Sequence, residues 1–513
     1  MSHTVATPET AASRTEHAPG TIVLLAFGLL IAFGCVLRFW KLATVGLWYD
    51  ELWTVVGASN RPFGEMYREW ILGDSHPPGF FVFYFAWFKL VPPTEFWARL
   101  PSAIAGTLTV GYLLWGTRRV LARNERVIAA TFASLSYVYV FYALSVKQYS
   151  ALLLLTTIAT IVYLEIVAVR RIDLRNAIAL VVTVSALAYL NYFGLVFAGI
   201  LLALLLVALW RDVAARRSVL RIVGVCALVC APIAPFLYLQ VRYDIDAWQP
   251  YQVSTFLANV EPYLFFNDAA YVARALGLLA LVLAVRAAVV PDVRRALWTP
   301  RNAHLAIVVA AFGGFMIVLG LFKPIFYVRY FLAMVPAVLL GLGILTAAAF
   351  PLDAGWSAIV LLLFFGHAAA TQFRTIDALQ REQWDKSVDF VLGSRSATDA
   401  IYILGADTSK TEFDYLREGD VDGVFNVRNL VFYRYYFRRR GAAAVAARLN
   451  VALPTADSVR ELAGRFHDTG RTIYVLAGHH VQYTGDALAT LKRVARRMEV
   501  TSMNGTLVYK LVF

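Results

Sequence analysis

Long apolar segments recur along the first two thirds of this sequence, and they constrain its fold more than any other feature. Segments of about 20 residues, apolar enough to cross a bilayer, follow one another from Thr21 to Gln372. The 513 residues are 59% hydrophobic and 16% charged, whereas soluble domains carry roughly 25% charged residues. A water-soluble fold is therefore excluded. We predict an all-α polytopic membrane domain with about eleven transmembrane helices, followed by a small extracytoplasmic α/β domain.

Arginine-rich loops between the apolar segments predict the orientation of the chain. Four short loops are rich in arginine, and the positive-inside rule places all four in the cytoplasm. They contain Arg118, Arg119, Arg123 and Arg126; Arg170, Arg171 and Arg175; Arg211, Arg216, Arg217 and Arg221; and Arg294, Arg295 and Arg301. The approximate spans are then 22–40, 97–117, 127–144, 151–168, 177–190, 195–210, 222–240, 271–290, 304–322, 331–350 and 356–371. Arg38 and Lys41 flank the outer end of the first span, which disagrees with this orientation, but the four loops carry far more charge.

An odd number of spans with the N-terminus inside places the C-terminus outside. The predicted parts are a disordered cytoplasmic tail over 1–20, a transmembrane domain over 21–372 with its first external loop at 41–96, and a periplasmic α/β domain over 385–513. The segment Thr21–Phe39 is too long for a signal peptide and lacks a small-residue cleavage site, so we expect an uncleaved first span. Gly79–Val91 is short for a crossing, and we predict an interfacial helix on the outer face.

Net charge and cysteine content exclude little by themselves. The net charge is +13, but much of the arginine and lysine sets membrane orientation, so we do not expect nucleic-acid binding. Cys35, Cys226 and Cys230 all fall in predicted spans, and no disulfide framework is readable. Neither a P-loop nor a dinucleotide fingerprint is present in the sequence, which argues against the use of nucleotide sugars or ATP.

An acidic pair follows the first span, among aromatic residues. Asp50 and Glu51 come directly after Trp48 and Tyr49. Carboxylates near hydrocarbon are costly unless they are paired or functional. Apolar surroundings would raise the pKa of Asp50 toward the range of a general base. The alternative is a solvated loop acid or a helix N-cap.

Three further polar residues fall in predicted external loops. His76 opens His-Pro-Pro-Gly before the interfacial helix, Lys147 follows the third span, and Arg329 precedes the tenth. Cations of this kind can hold a phosphate. Each also has a plainer interpretation, as a structural histidine, a snorkelling lysine, or an arginine paired with the acids or a lipid head group. With the predicted topology, they share one face of the membrane with the acidic pair and form a candidate site.

The order of these motifs resembles the GT-C glycosyltransferases, in the branch that includes the protein O-mannosyltransferases and the lipid A aminoarabinose transferases. LWYDE ends at Glu51, HPP begins at His76, and RLPSAIAG spans Arg99–Gly106. VKQYS follows the third span, and FYVRYFLAMVP leads into the tenth. The resemblance covers about the first 345 residues, and the ordered set of short motifs is fairly specific.

This resemblance implies a polyprenyl-phosphate sugar donor and no metal or other cofactor. The catalytic residues would be Asp50, as the base, and Glu51. The contacts of the donor phosphate would be Lys147, Arg329 and His76. Further substrate contacts would be Tyr49, Tyr149, Tyr330 and Arg99. An acceptor oxygen would lose its proton to Asp50 and attack the anomeric carbon, with polyprenyl phosphate as the leaving group.

The implied enzyme is a hexosyl- or pentosyltransferase at the outer face of a bacterial inner membrane. Its partners would be the donor, membrane lipids, and a lipid, glycan or protein acceptor in the cell envelope, for example lipopolysaccharide. Two other classes stay open. A multi-span transporter or flippase of an envelope precursor is favoured only by the intramembrane His367. A polysaccharide polymerase or ligase typically has a large late external loop, whereas here the largest is the first.

The last part of the chain has the mixed pattern of a small α/β domain. Strand-like runs occur at Ile401–Leu404, Ile473–Leu476 and Leu507–Val512, and a helical pattern at Ala487–Met498. The segment Asn429–Arg440 mixes aromatics with arginines, so it could rest on lipid head groups or bind an anionic glycolipid. His479 and His480 are adjacent but have no cluster of partners in the sequence, so we do not expect a zinc site there.

Overall fold

A computed structural model of the chain describes most of its length. The described residues are 20–59, 61–72, 74, 76–242, 269–322, 327–405, 421–467, 469–478 and 481–513. Three expectations lie wholly or partly outside them: the disordered tail, the external loops around 241–270 and 323–330, and the pair His479 and His480.

Helices joined by short loops make up the described part of the predicted membrane domain. They are α1 Thr21–Trp40, α2 Tyr49–Ser59, α3 Phe63–Met66, α4 Gly79–Leu90, α5 Glu95–Trp115, α6 Arg123–Leu135, α7 Tyr137–Ala143, α8 Tyr149–Val169, α9 Leu174–Leu190, α10 Tyr192–Ala208, α11 Val213–Cys230, α12 Ala234–Arg242, α13 Ala269–Val289, α14 Pro291–Leu297, α15 Pro300–Phe322, α16 Val335–Ala349 and α17 Gly355–Asp377. A π-helical turn, Tyr67–Ile71, follows α3, and two 3₁₀ turns, Ala231–Ile233 and Val328–Met334, precede α12 and α16.

Each predicted span coincides with one helix or with a pair of consecutive helices. Among the described residues, seven helices are long and apolar enough to cross a membrane, or eight if α6 and α7 form one broken span. These two helices bend by 55° at Ser136, within a span that we predicted to be continuous. Helices α9 and α10 are apolar but shorter. The chain is therefore a multi-pass membrane protein, while the count of eleven stays a prediction.

Residues in the short loops cap the starts of three helices and the end of one. Asp173, Asn191 and Asp212 stand at the N-caps of α9, α10 and α11, and each side chain accepts a bond from a backbone N–H in the first turn. Such caps satisfy donors that the helix cannot bond itself. Arg170 ends α8 in the left-handed region, at φ 54°. Consecutive helices in this region pack side by side, α8 against α9 and α9 against α10.

A buried arginine joins α1 to α6. The Arg38 side chain is fully buried and donates to the carbonyl oxygens of Ala133 and Ser134 at 2.7 and 2.9 Å, as well as to its own helix at Gly34. Gly34 makes this approach possible, because a Cβ there would overlap the backbone of Ser134. Arg38, which disagreed with the predicted topology, is thus used inside the helical bundle.

The described parts of the first loop after α1 pack against one another and against the start of α5. Helix α4 packs against α2, and the Tyr84 hydroxyl donates to the Ala98 carbonyl at 2.7 Å. Trp87 donates to the carbonyl of Trp97 at 2.8 Å. The helix predicted at 79–91 is therefore present as α4, held against the start of α5. Its position relative to a lipid surface stays a prediction.

The C-terminal part, residues 384–513, contains one mixed sheet among its described residues. Its elements are α18 Trp384–Ser394, β1 Ala400–Leu404, α19 Val421–Arg439, α20 Ala443–Ala447, β2 Asn450–Ala452, α21 Ala456–Phe466, β3 Thr472–Ala477, α22 Gly485–Val494, β4 Arg497–Met503 and β5 Thr506–Val512. The strand order is β2-β1-β3-β5-β4. Strand β1 pairs in parallel with β2 and β3, whereas β5 is antiparallel to β3 and β4.

Three of these strands match the predicted runs, and one helix prediction extended too far. The helix predicted at Ala487–Met498 ends at Val494, since Arg497 and Met498 begin β4. β4 is an edge strand that is largely exposed, so its composition carries little of the alternation by which a strand is recognised.

The sheet uses one face for its own core and the other for contact with the first loop. Tyr402 and Val475 point toward α21 and α22. Ile403 and Leu476 point to the opposite face, which packs against α19 and, through it, against α2. The aromatic residues Tyr433 and Tyr436 in α19 are fully buried there. They serve internal packing, and neither lies exposed for contact with lipid head groups.

Candidate active site

Helix α2 begins with the acidic pair because both carboxylates favour a helix start. Acidic side chains in the first turn are stabilised by the helix dipole and by N–H groups that lack a partner within the helix. The Glu51 carboxylate reaches back to the backbone N–H of Trp48 at 3.3 Å, as in a capping box. Consecutive residues on a helix point about 100° apart, so Asp50 and Glu51 face different surroundings.

Asp50 lies among cationic side chains contributed by distant parts of the chain. Its carboxylate lies 3.4 Å from a guanidinium nitrogen of Arg329, and its side chain is 28% exposed. The positive charges that act on this carboxylate come from Lys147, Arg329 and His76. Three of the predicted donor-phosphate residues therefore surround the predicted base.

The cations reverse the expected effect of burial on Asp50. Burial acts to raise the pKa of this carboxyl, but Lys147, Arg329 and His76 together outweigh burial and hold the pKa below its usual value. Our expectation of a raised pKa was therefore wrong. It considered the apolar residues next to Asp50 in the sequence and not the cations that folding brings to it.

Arg329 is held in place by aromatic rings. It stands in the 3₁₀ turn before α16, with its guanidinium 4.3 Å from the ring centre of Tyr327 and 5.9 Å from that of Tyr330. Tyr330 in turn stacks on Phe193 of α10 at 4.6 Å. Cation–π contacts orient the guanidinium without neutralising it, so its charge stays available to an anion beside Asp50.

Lys147 lies in the turn between α7 and α8 and is almost buried. Its backbone carbonyl accepts a bond from Ser102, and its positive charge acts on both Asp50 and Asp74. In the described ranges no ion pair of 4 Å or less involves its ammonium group. A buried lysine between two carboxylates and close to Arg329 is suited to hold an anionic ligand.

His76 is oriented by an aspartate that the sequence analysis did not select. The Asp74 carboxylate lies 2.6 Å from His76 Nδ1 and accepts from the His76 backbone N–H at 2.9 Å. Its second oxygen accepts from Trp53 at 2.7 Å. Burial acts to raise the pKa of Asp74, but His76, Lys147 and Trp53 hold the pKa well below its usual value. The only signal in the sequence was an acid two residues before the histidine.

Glu51 faces away from Asp50 into a buried ion-pair network. The side chain is fully buried, and Arg99 binds it through two nitrogens at 3.0 and 2.5 Å. Arg381 adds an ion pair at 3.2 Å, and the Val146 backbone N–H donates to the same oxygen at 2.9 Å. Burial acts to raise the pKa of Glu51, but Arg381 and Arg99 outweigh it and lower the pKa. This geometry favours a positioning role over the catalytic one that we expected.

Two of the expected substrate contacts are used internally. Arg99 is almost completely buried, and besides Glu51 it binds three backbone carbonyls of the segment after α1. The Tyr49 hydroxyl accepts from Arg428 of α19 at 3.1 Å. The structure therefore does not support substrate contact for either residue, because each is enclosed by protein. Tyr149 differs: its buried hydroxyl has no hydrogen-bond partner among the described residues and lies near Asp50 and Arg329.

Residues that follow α17 in the chain contact the start of α2 and the segment just before it. The Glu382 carboxylate accepts from the Tyr49 backbone N–H at 2.8 Å and from Trp384 at 2.8 Å. The Tyr436 hydroxyl accepts from the Leu47 backbone N–H at 2.9 Å. Sequence reasoning missed Arg381, Glu382 and Arg428, because contacts across more than 300 residues leave no local pattern.

No metal site is evident in the described part of the chain. Over those ranges, no three His, Cys, Asp or Glu side chains come together as metal ligands would.

Comparison with known proteins points to one class. A family model described as dolichyl-phosphate-mannose-protein mannosyltransferase matches residues 75–238, which include His76, Arg99 and Lys147. No curated protein sequence is similar enough to this chain to count as a relative.

The whole fold is similar to that of ArnT from Cupriavidus metallidurans. Against its crystal structure in the apo state the TM-score is 0.55 at 12% identity, over 96% of this chain and 98% of that one. Against the structure bound to undecaprenyl phosphate the TM-score is 0.55 at 14% identity, over 94% and 97%.

The fold similarity and the family match both agree with the resemblance found in the sequence. The chain has the fold of the ArnT structures over almost its whole length, and its residues 75–238 match the model of the mannosyltransferase family. The predicted fold class, a helical membrane domain followed by a small C-terminal α/β part, is confirmed as well.

Proposed function

We propose that this protein transfers a sugar from a polyprenyl-phosphate donor to an acceptor of the cell envelope, at the outer face of a bacterial inner membrane. One observation carries the proposal: the carboxylate of Asp50 lies among the side chains of Arg329, Lys147 and His76. A general base beside positive charge is the arrangement that transfer from a phosphate-linked sugar needs.

The cations serve the leaving group. When the bond between the anomeric carbon and the phosphate oxygen breaks, its electron pair stays on polyprenyl phosphate, and the added negative charge needs nearby positive charge more than an acid. Lys147 and Arg329 supply that charge. The ArnT structure with undecaprenyl phosphate bound supports a lipid phosphate as the ligand of this fold.

Asp50 acts on the acceptor. It takes the proton of the attacking hydroxyl or phosphate oxygen while the new bond to the anomeric carbon forms, and the products are the glycosylated acceptor and polyprenyl phosphate. Because the cations keep the free Asp50 ionised, the base is ready before the acceptor arrives. A bound donor phosphate offsets those charges, so the carboxylate becomes a stronger base within the complex.

The rival interpretation as a transporter loses its one specific support. His367 lies on an exposed face of α17, with its ring 4.2 Å from that of Tyr271. An ionisable residue that carries a substrate across a membrane faces an internal path near the bilayer midplane. The position of His367 therefore does not favour transport.

A transfer assay tests the proposal. Purified membranes that contain the protein receive a panel of radiolabelled polyprenyl-phosphate sugars, and labelled product is compared for the wild type, Asp50→Asn and Asp353→Asn. Asp353 is an exposed loop acid, so its variant is a matched control. We expect product with one donor in the wild type and control and its loss in Asp50→Asn at equal protein level. Absence of product with every donor would refute the proposal.

A further inference from the structure

A polar cavity lies between the first loop and α19, away from Asp50. Its volume is about 190 Å³, far above the roughly 10–15 Å³ that a cavity needs in order to hold one water molecule. Its lining includes Val56, Arg61, Glu65, Arg434, Tyr435 and Arg438. Val56 and Asp50 stand on the same helix, about 9 Å apart along its axis and roughly 120° apart around it. The cavity is therefore separate from the candidate active site.

Positive charge exceeds negative charge inside this cavity. Arg61 forms an ion pair with Glu65 at 2.5 Å, which leaves two guanidinium groups unbalanced. In the described part of the chain, neither Arg434 nor Arg438 forms a hydrogen bond or an ion pair. Burial and the neighbouring Arg438 both lower the pKa of Arg434. Like charges held together in a half-buried cavity are costly unless an anion joins them.

The surroundings of the cavity favour a lipid as the source of that anion. Phe63 and Tyr67 follow Arg61 in the chain, and their side chains are 46% and 37% exposed. Phe63 also contacts Phe85 of α4 at 5.4 Å, so the exposed aromatic surface continues onto an apolar helix. Aromatic and basic side chains next to each other are typical of protein surfaces at the head-group level of a membrane.

We infer that this cavity binds the phosphate group of an anionic membrane lipid through Arg61, Arg434 and Arg438. A guanidinium group donates two parallel N–H bonds to a phosphate, and basic pockets at membrane depth bind lipid head groups. A bound phosphate would also join the first loop to α19, which packs against α2. This binding site goes beyond the transfer reaction and does not depend on it.

A binding assay without sugar donor tests the inference. The purified full chain in neutral detergent is titrated with short-chain phosphatidylglycerol, with phosphatidylcholine of equal chain length, and with inorganic phosphate, and the dissociation constants are measured. The test variant combines Arg434→Gln and Arg438→Gln. The control combines Arg448→Gln and Arg471→Gln, two exposed arginines of the C-terminal part whose loss removes the same charge. A third variant, which combines Arg434→Lys and Arg438→Lys, keeps the charge without the guanidinium fork.

We expect phosphatidylglycerol to bind the wild type and the control equally, and the glutamine variant at least about tenfold more weakly. The lysine variant should lie between them, which separates lost binding from lost folding. Phosphatidylcholine should bind the wild type more weakly than phosphatidylglycerol. Equal affinity of the glutamine variant and the wild type would overturn the site, and inorganic phosphate binding as tightly as phosphatidylglycerol would overturn the assignment to a lipid.

Discussion

At the scale of single residues, two adjacent carboxylates have opposite surroundings. Asp50 is partly exposed beside Arg329, while Glu51 is fully buried between Arg99 and Arg381. The sequence predicted that this pair matters but did not distinguish its members. The difference arises from partners far along the chain, which only the folded structure brings together.

Stability should separate the two acids. Glu51→Gln leaves the buried guanidinium groups of Arg99 and Arg381 without their carboxylate, and breaking a buried pair costs about 3–5 kcal/mol. Asp50→Asn removes a charge from a cluster that is mainly cationic and partly exposed, so it should alter stability far less. Thermal unfolding of the purified variants measures this, and equal losses of stability would contradict the assigned roles.

The pH dependence of transfer should differ between free enzyme and complex. Lys147, Arg329 and His76 hold the pKa of Asp50 below its usual value, so Asp50 in the free enzyme loses its proton already at low pH. A donor phosphodiester offsets those cations. On the acid side of the pH profile, kcat should therefore fall at a higher pH than kcat/KM does. Lys147→Gln should shift the acid-side fall of kcat/KM to higher pH, because it removes a cation that acts on Asp50. If kcat and kcat/KM of the wild type fell at the same pH, the effect of the donor on the base would be contradicted.

At the scale of helices and strands, the apolar patterns predicted which helices exist better than they predicted bends and short strands. Helices lie where the spans were predicted, because about 20 apolar residues in a row have few other uses. Which of these helices cross the membrane stays a prediction. The break at Ser136 was missed, since both halves of the α6–α7 pair are apolar. The short strand β2 and the exposed strand β4 were missed because neither has a buried alternation to reveal it.

The close contact of α1 with α6 gives a prediction at this scale. A methyl group on Gly34 would overlap the backbone of Ser134, whereas one on Gly28 of the same helix meets nothing within 4 Å. Gly34→Ala should therefore destabilise the protein by about 1–3 kcal/mol, and Gly28→Ala should be neutral or stabilising by up to about 1 kcal/mol. Thermal unfolding of the two variants tests this, and equal shifts would show that α1 and α6 are less closely packed.

At the scale of the whole molecule, the last part of the chain helps to build the site. Glu382, Arg428 and Tyr436 contact the segment that carries Asp50. Sequence patterns described the membrane helices and the sheet as separate regions, because each has its own periodicity. Their contact could not be predicted, since it depends on side chains that are buried only after both parts have folded.

The orientation of the whole chain is testable with single cysteines. We expect a membrane-impermeant maleimide to label Ala397→Cys in the C-terminal part from the outside of right-side-out vesicles. Ala214→Cys, in the arginine-rich start of α11, should react only after permeabilisation. Both positions are exposed. The variants are made in a chain without Cys35, Cys226 and Cys230. The reverse labelling pattern would contradict the positive-inside assignment and place Asp50 on the cytoplasmic face.

The central claim is that Asp50 is the base of a transfer that Lys147 and Arg329 prepare by holding the donor phosphate. The most direct measurement compares donor binding with single-turnover transfer in Asp50→Asn and Lys147→Gln. We predict that Asp50→Asn keeps or gains donor affinity, because a negative charge leaves the cationic cluster, but transfers about 10²–10⁴ times more slowly. Lys147→Gln should chiefly lose affinity. Transfer by Asp50→Asn at the wild-type rate would contradict the account.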